Sequence, residues 1–452
     1  MSNFSMSRSL ILAGGGAFAL LALSSPEALA VPSYARQTGL ACEVCHTIFP
    51  ELTPFGRLFK LNGYTLTGLR QVEAAGGNAL KINAGAPLSV MLQVGMSNEG
   101  KRAPGNQNNN VEFPRQLSLF YAGEISPHMG TFMQITYEQK AADNSGNNAS
   151  FQWDNTDVRY ANHFTLGGQD EIYGVTLNNN PSVEDVWNDT PAWGFPWIHS
   201  AEHPYDHYVY TYPSGKKIPG SPPDSMLDSL GGNVAGLGAY TLLNNQWYAA
   251  LSFYRSASES IGTIPQPTLG SINGLAPYGR VAWQHQFDNA YWEIGAFGMQ
   301  TKILELPGVE DKYTDAGVDT QYEMPLGANL LALHAQYLHE SQDYGSGTGS
   351  ATNSSDHLND ARIDAEMHFQ RMYEVALGYD NWSGSTDALL YPVWTNSAAN
   401  SPDTAYWTAE VDYLPWENTK LGLQYRGYTK YYGSTTSVSN DNYTYLYGWF
   451  AW

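Results

Sequence analysis

From about residue 87 to the C-terminus, apolar and polar side chains alternate with a period of two. Leu88, Val90, Leu92 and Val94 interleave with Ser89, Met91, Gln93 and Gly95, and Leu117, Leu119 and Tyr121 with Gln116, Ser118, Phe120, Ala122 and Glu124. Val281, Trp283 and Phe287 oppose Arg280, Gln284 and Gln286; Ile363, Ala365, Met367 and Phe369 oppose Arg362, Asp364, Glu366, His368 and Gln370. The same holds for Val411 and Tyr413 against Glu410 and Asp412, and for Leu421, Leu423 and Tyr425 against Gln424 and Arg426. Such alternation predicts strands with one apolar and one polar face. About sixteen are expected, from 87–97 through pairs such as 359–371 and 372–383 to 442–452.

The connections alternate in length. Tight turns at Ser126–Gly130, Asn244-Asn245, Asp288-Asn289 and Pro415–Asn418 follow every second strand. Longer segments follow the others: 98–114, 141–153, 180–233, 258–277, 304–312, 344–357, 385–402 and 434–440. Short turns at one rim, long loops at the other and an even strand count predict an all-β fold, a transmembrane outer-membrane barrel of antiparallel strands over residues 86–452. The polar face, with Glu124, Glu138, Arg362, Asp364, Glu366, His368, Glu374, Glu410, Asp412 and Arg426, is expected to line the lumen. A barrel of this size leaves room there for water or for a plug.

Composition strengthens the membrane reading. Only 14% of residues are charged, against about 25% in an ordinary soluble domain, while 13% are aromatic, with 31 Tyr and 13 Trp to girdle the rims. No window is apolar for the roughly 18 residues that a spanning helix needs. The net charge of −21 disfavours nucleic acid and favours cations. Residues 1–30 read as a signal peptide: Arg8, an apolar run from Leu10 to Leu23, then Ala28-Leu29-Ala30, leaving Val31–Trp452 as the exported chain.

The chain has two cysteines, both in Cys42-Glu-Val-Cys45-His46. Two cysteines so placed in an exported chain admit a disulfide, a redox pair or a cofactor attachment. The histidine in the next position separates these. Thiols one helical turn apart reach two vinyl groups of one porphyrin, and the imidazole falls beneath the iron. One covalently attached haem c is therefore expected in a segment spanning 31–85, with Cys42 and Cys45 binding it and His46 ligating the metal. A zinc site would need further ligands. Neither His nor Met lies between His46 and Met91, so the sixth ligand is open. Met91, Met96, His128 and Met129 are the nearest in sequence, each also readable as a packing or turn residue.

The segment Ser33–Gly39 before the motif, and Phe49-Pro-Glu-Leu-Thr-Pro-Phe-Gly-Arg-Leu-Phe-Lys-Leu-Asn-Gly-Tyr64 after it, resemble the fused outer-membrane monohaem cytochrome–porins of iron-oxidising bacteria. The terminal Tyr-Gly-Trp-Phe-Ala-Trp452 resembles the signal read during barrel insertion. The resemblance implies a small helical haem plug in a barrel lodged in outer-membrane lipid. It implies an oxidoreductase: extracellular Fe(II) is oxidised and the electron leaves through the haem to a periplasmic cytochrome or copper protein. Phe49, Phe55, Phe59 and Tyr64 would seat the plug, and Arg36 and Arg57 would pair with haem propionates or form surface ion pairs. No motif identifies catalytic residues or an iron site. A porin whose haem is a plug or redox sensor, and a haem enzyme acting on a small molecule, are the competing functions. Loop 180–233 carries Trp187, Trp193, Trp197, His199, His203 and His207, and is expected to form an extracellular aromatic lid, with three histidines at four-residue spacing as an alternative metal site that Pro196 and Pro204 interrupt.

Overall fold

A computed structural model describes residues 32–47, 50–66, 69, 71–73, 81–101, 109–139, 149–187, 194–200, 210–211, 217–218, 224–257, 270–391 and 399–452. The expected leader and Phe49, Trp193, His203, Pro204 and His207 lie outside these residues, as does the Glu138 side chain. Sixteen strands close into one barrel. They are β1 Leu88–Glu99, β2 Asn109–Ser126, β3 Met129–Gln139, β4 Ala149–Leu166, β5 Gln169–Asn178, β6 Val234–Leu243, β7 Trp247–Ser256 and β8 Ala276–Phe287. Then come β9 Ala290–Leu306, β10 Val309–Leu326, β11 Asn329–Asp343, β12 Ser355–Phe369, β13 Tyr373–Gly384, β14 Thr404–Trp416, β15 Thr419–Lys430 and β16 Tyr443–Ala451. A two-residue strand, Ser271–Ile272, adds to the wall beside β9. All neighbours are antiparallel, and β16 returns to β1 with Tyr447 opposite Gly95 and Ala451 opposite Met91. Closure leaves no unpaired edge, which the hydrocarbon layer demands.

The alternation places the apolar face outward. Leu119, Leu237, Leu251, Val281, Ile363, Leu377, Val411 and Leu423 are exposed, whereas Ser118, Arg280, Glu410 and Gln424, one residue away along the strands, and Glu366, three from Ile363, are buried inside. Trp247, Trp292, Tyr373, Tyr413 and Trp416 stay exposed near the tight turns, where Tyr373 and Tyr413 stack at 5.2 Å. An apolar exterior with an aromatic rim and a charged interior is the arrangement lipid requires. The chain is a porin-like barrel of the outer membrane.

Two expected boundaries are corrected. Residues 304–312 form no long loop: Leu306 pairs with Val309 across a Pro307-Gly308 turn, Gly308 taking φ 77°. Lys302 faces Lys312 there, but each finds a carboxylate instead, Glu310 at 2.5 Å and Asp343 at 3.7 Å. The turn between β12 and β13 is 370–372, and no break falls between 371 and 372; Gln370 and Arg371 both take positive φ there (51° and 59°). Met96 is also settled by parity: it is exposed on the outer face of β1, away from the lumen.

Candidate functional site

The N-terminal segment sits inside the barrel near the tight-turn rim, built from α1 Pro32–Thr38, the single turn α2 Cys42–Cys45 and α3 Pro54–Leu61. Thr53 starts α3: its Oγ1 accepts from the Gly56 N–H at 3.1 Å, and Pro54 occupies the first helical position, where a missing N–H costs nothing. The Thr53 hydroxyl also donates to the Val44 carbonyl at 2.6 Å, and the Thr53 N–H donates to the Cys45 carbonyl at 2.9 Å. Helix α3 is thereby fastened to the turn that carries the cysteines.

Cys42 and Cys45 are separate thiols on that turn, and His46 closes it, its N–H donating to the Cys42 carbonyl at 2.9 Å. Burial pushes the Cys45 thiol up to about 11, and burial together with Glu417 pushes Cys42 higher. A redox C-x-x-C needs a thiol shifted the other way. The His46 ring settles its own tautomer. Nδ1 lies 3.1 Å from the carbonyls of both Pro50 and Glu51, so it carries the proton and Nε2 carries the lone pair. A carbonyl-anchored imidazole, held below its ordinary pKa by burial, is the usual form of a histidine that binds a metal through its other nitrogen. Two thiols and one oriented imidazole on a single turn fit the demands of a c-type haem.

The segment is docked by polar contacts to many strands. Arg57, buried at 2% exposure, places Nη1 2.9 Å from Glu323 Oε1 of β10, and its guanidinium lies 4.3 Å from the Tyr291 ring of β9. It is thus neither a surface ion pair nor a free arginine. Arg36 donates to the Leu88 carbonyl at the start of β1. Tyr64 donates to Asp157 at 2.7 Å, Tyr240 to the Leu61 carbonyl at 2.8 Å, and Tyr34 to the Thr131 carbonyl at 2.7 Å. Phe59 and Tyr64 are buried against Tyr34 (5.1 and 5.7 Å between centroids), while Phe55 is exposed. At the rim itself, the Cys42 N–H donates to Glu417 at 2.8 Å and Glu43 pairs with Arg371 at 2.7 Å.

Segment 180–200 is not an extracellular lid, as far as its described residues go: it folds into the lumen. Glu184 lies fully buried 3.7 Å from Arg159, Asp185 pairs with Arg280 at 3.3 Å, and the Trp187 indole donates to Tyr291 at 2.6 Å. Trp197 donates to Glu366 of β12 at 3.2 Å. The segment's Glu184 and Asp185 join the wall's own ion pairs, Arg159 with Asp157 and Arg280 with Asp319. His199 donates from Nδ1 to the Ser200 carbonyl at 3.0 Å.

Glu138 aside, the inward positions expected from sequence fall where alternation put them, and two groups of them converge. Glu374, Glu410 and Asp412 surround Lys420, whose ammonium is 2.7 Å from Asp412. Glu51 of the plug meets His334, Asp364, Glu366 and His368 of β11 and β12: His334 Nε2 is 3.1 Å from Glu51 and its Nδ1 is 2.7 Å from Asp364. Burial alone would raise the Glu51 carboxyl, but the bond from His334, the charges of His334 and His368, and the Thr47 hydroxyl hold it down to about 2. A carboxyl depressed in the folded state stabilises docking above its unfolded value of about 4.3 and loses that contribution as the pH falls toward 2. Plug docking should therefore weaken by roughly 3 kcal/mol across that window. Protease access to residues 32–66, titrated with acid, should show the loss in the native protein and a flatter curve in Glu51→Gln.

No family model and no curated protein matches the chain. Among solved structures it is similar to Salmonella typhi OmpF in complex with daunomycin, at 14% identity over 81% of this chain and 97% of that one, TM-score 0.47. It is also similar to an anion-selective porin from Comamonas acidovorans (13% identity, 81% and 98% covered, TM-score 0.44) and to OmpT of Vibrio cholerae (9%, 83% and 100%, TM-score 0.44).

Proposed function

We propose that this barrel is an electron conduit of the outer membrane, an oxidoreductase in which extracellular Fe(II) is the donor and a periplasmic cytochrome or copper protein the acceptor. The observation that carries the reading is the Cys42–Cys45–His46 turn, with its imidazole axis fixed by two carbonyls, seated inside a barrel that crosses the membrane. A haem c held there supplies a one-electron centre that a lipid layer otherwise lacks. Cys42 and Cys45 tether it, His46 ligates it, and α1 and α3 fix the turn against the wall. Glu43 and Glu417, with Arg371, surround the turn at the rim where a soluble acceptor would approach. Keeping the oxidation outside suits the chemistry, since ferric iron precipitates at neutral pH and only the electron needs to enter.

Anaerobic stopped-flow mixing of the oxidised, detergent-solubilised protein with Fe(II) tests this. Prompt growth of the reduced α and Soret bands is expected, with no such signal in Cys45→Ala. If ascorbate reduces the haem and Fe(II) does not, the iron reading fails. A barrel that conducts ions in planar bilayers while staying inert to Fe(II) would favour the porin with a haem plug or sensor; the many hydrogen bonds that seat the segment in the lumen argue for a closed state. An open iron position that binds peroxide or another small molecule and turns it over would favour a haem enzyme.

A further inference from the structure

Five side chains from three elements converge in the lumen: Glu51 of the plug, His334 of β11, and Asp364, Glu366 and His368 of β12. The register pairs His334 with Asp364 and Leu330 with His368, and the two-residue period turns 364, 366 and 368 to the same side. Ligand atoms of Glu51, Glu366 and His368 lie within 4.8 Å of one another, as do those of His334, Asp364 and Glu366, so Glu366 belongs to both sets.

Several buried carboxylates of this lumen answer to a fixed cation: Glu323 to Arg57, Asp157 to Arg159, Asp319 to Arg280 and Asp412 to Lys420. Glu51, Asp364 and Glu366 differ. Among the described residues their ion-pair partners are imidazoles, with no lysine or arginine within 4 Å. A second observation comes from His368. It is 2% exposed, and neither ring nitrogen makes a hydrogen bond. Its Nε2 points at Glu51 Oε2 and Glu366 Oε2, 3.7 Å from each, and Glu366 Oε2 is likewise buried without a hydrogen bond. That gap is too long for hydrogen bonds. It is close to the roughly 3.0–3.6 Å that separates two ligands on one ion with bonds of about 2.1–2.2 Å.

We infer that Glu51, Glu366 and His368, with His334 and Asp364 beside them, bind one first-row divalent cation of the Fe(II) type. Mixed imidazole and carboxylate donors select against Ca(II) and Mg(II), which take oxygen alone, and against the thiolate-seeking Cu(I). A small cavity bounded by Phe195, Trp197, His334 and Asp364 touches the site from the side of the in-folded segment, and the Trp197 indole orients Glu366 through its other oxygen. Resting on the function proposed above, this is where Fe(II) would give up its electron, becoming Fe(III), while a haem held by Cys42, Cys45 and His46 would take up that one electron, with no bond formed or broken. Glu51 joins the two places, its carboxylate facing the cation and its carbonyl accepting from His46 Nδ1.

Equilibrium dialysis of the full-length, haem-loaded protein against Co(II), which does not reduce haem, tests the site directly. One retained equivalent is expected, weakened at least about 100-fold in His368→Ala and in the isosteric Glu366→Gln, while Glu410→Gln, in the group already filled by Lys420, binds as the native protein does. Retained haem absorbance and resistance to unfolding in SDS verify that each variant is folded. Absence of Co(II) binding, or binding in both variants as tight as in the native protein, overturns the site even if Fe(II) still reduces the haem. Co(II) binding that the variants lose, in a protein whose haem Fe(II) leaves oxidised, upholds the site and removes the iron-oxidation reading.

Discussion

Replacing Arg57 with methionine is expected to unseat the N-terminal segment and turn a closed barrel into a conducting one. Arg57 Nη1 serves three acceptors at once: Glu323 at 2.9 Å, the Leu52 carbonyl at 2.6 Å and Gln321 at 3.4 Å. Methionine keeps most of the volume but leaves the Glu323 carboxylate buried without its cation. Breaking one side of a buried pair costs about 3–5 kcal/mol, far more than the pair itself contributes. The ring beneath the guanidinium, Tyr291, also accepts from Trp187 of the in-folded segment and donates to Gln284 at 2.5 Å. Loss of Arg57 therefore loosens both occupants of the lumen. Planar-bilayer recordings should show new conductance, and trypsin should cleave within residues 32–66. Pairing the change with Glu323→Leu should restore much of the closure, since the orphaned charge is then gone, and the coupling read from that cycle separates ion pairing from lost packing. A single variant that stays closed and trypsin-resistant would show that docking rests elsewhere.

The barrel was legible in the sequence because its signal is local. Period-two alternation in Arg362–Phe369 needs only neighbours along one strand, and parity alone put Asp364, Glu366 and His368 on one face. Hairpin turns such as Asn244-Asn245 carry their signal in two residues, both at positive φ. What was not legible depends on pairings over long separations. Glu323 lies 266 positions from Arg57, and nothing near either residue encodes the other. Glu51 reads as one acid in a short plug until docking brings it to His334. The in-folding of segment 180–200 was missed for a related reason. A loop rich in Trp, His and Pro looks like a lid, and the partners that hold it inward, Arg159 for Glu184, Arg280 for Asp185 and Tyr291 for Trp187, lie on strands elsewhere in the chain. At 304–312, Pro307-Gly308 makes the tight turn, and the charged residues around it pair across the strands.

If the proposed haem attachment holds, Gly56→Ala is expected to cost much of the bound haem, although helix propensity alone argues the opposite. Alanine in place of glycine within a helix is normally worth up to about 1 kcal/mol of stability. Here the added Cβ would stand 2.2 Å from the Cys45 carbonyl oxygen, and the obstacle is backbone. Helix α3 cannot slide aside cheaply, because the same Cys45 carbonyl accepts from the Thr53 N–H and the Val44 carbonyl accepts from the Thr53 hydroxyl. Moving α3 also drags Leu52 and Glu51, and with them a carbonyl that holds His46 Nδ1. Overpacking of this kind costs about 1–3 kcal/mol and is relieved by backbone shifts, which here means displacing the turn on which both thiols and the imidazole depend. Covalent haem per polypeptide, measured by pyridine haemochrome absorbance, should fall several-fold. Gly39→Ala is the matched comparison: its φ of 70° makes alanine strained, but open space surrounds the position. That strain is about 1–2 kcal/mol and leaves the cysteine turn untouched, so haem content should stay near native. Equal haem in the two variants would mean that contact between α3 and the Cys45 carbonyl does not govern the geometry of the attachment turn.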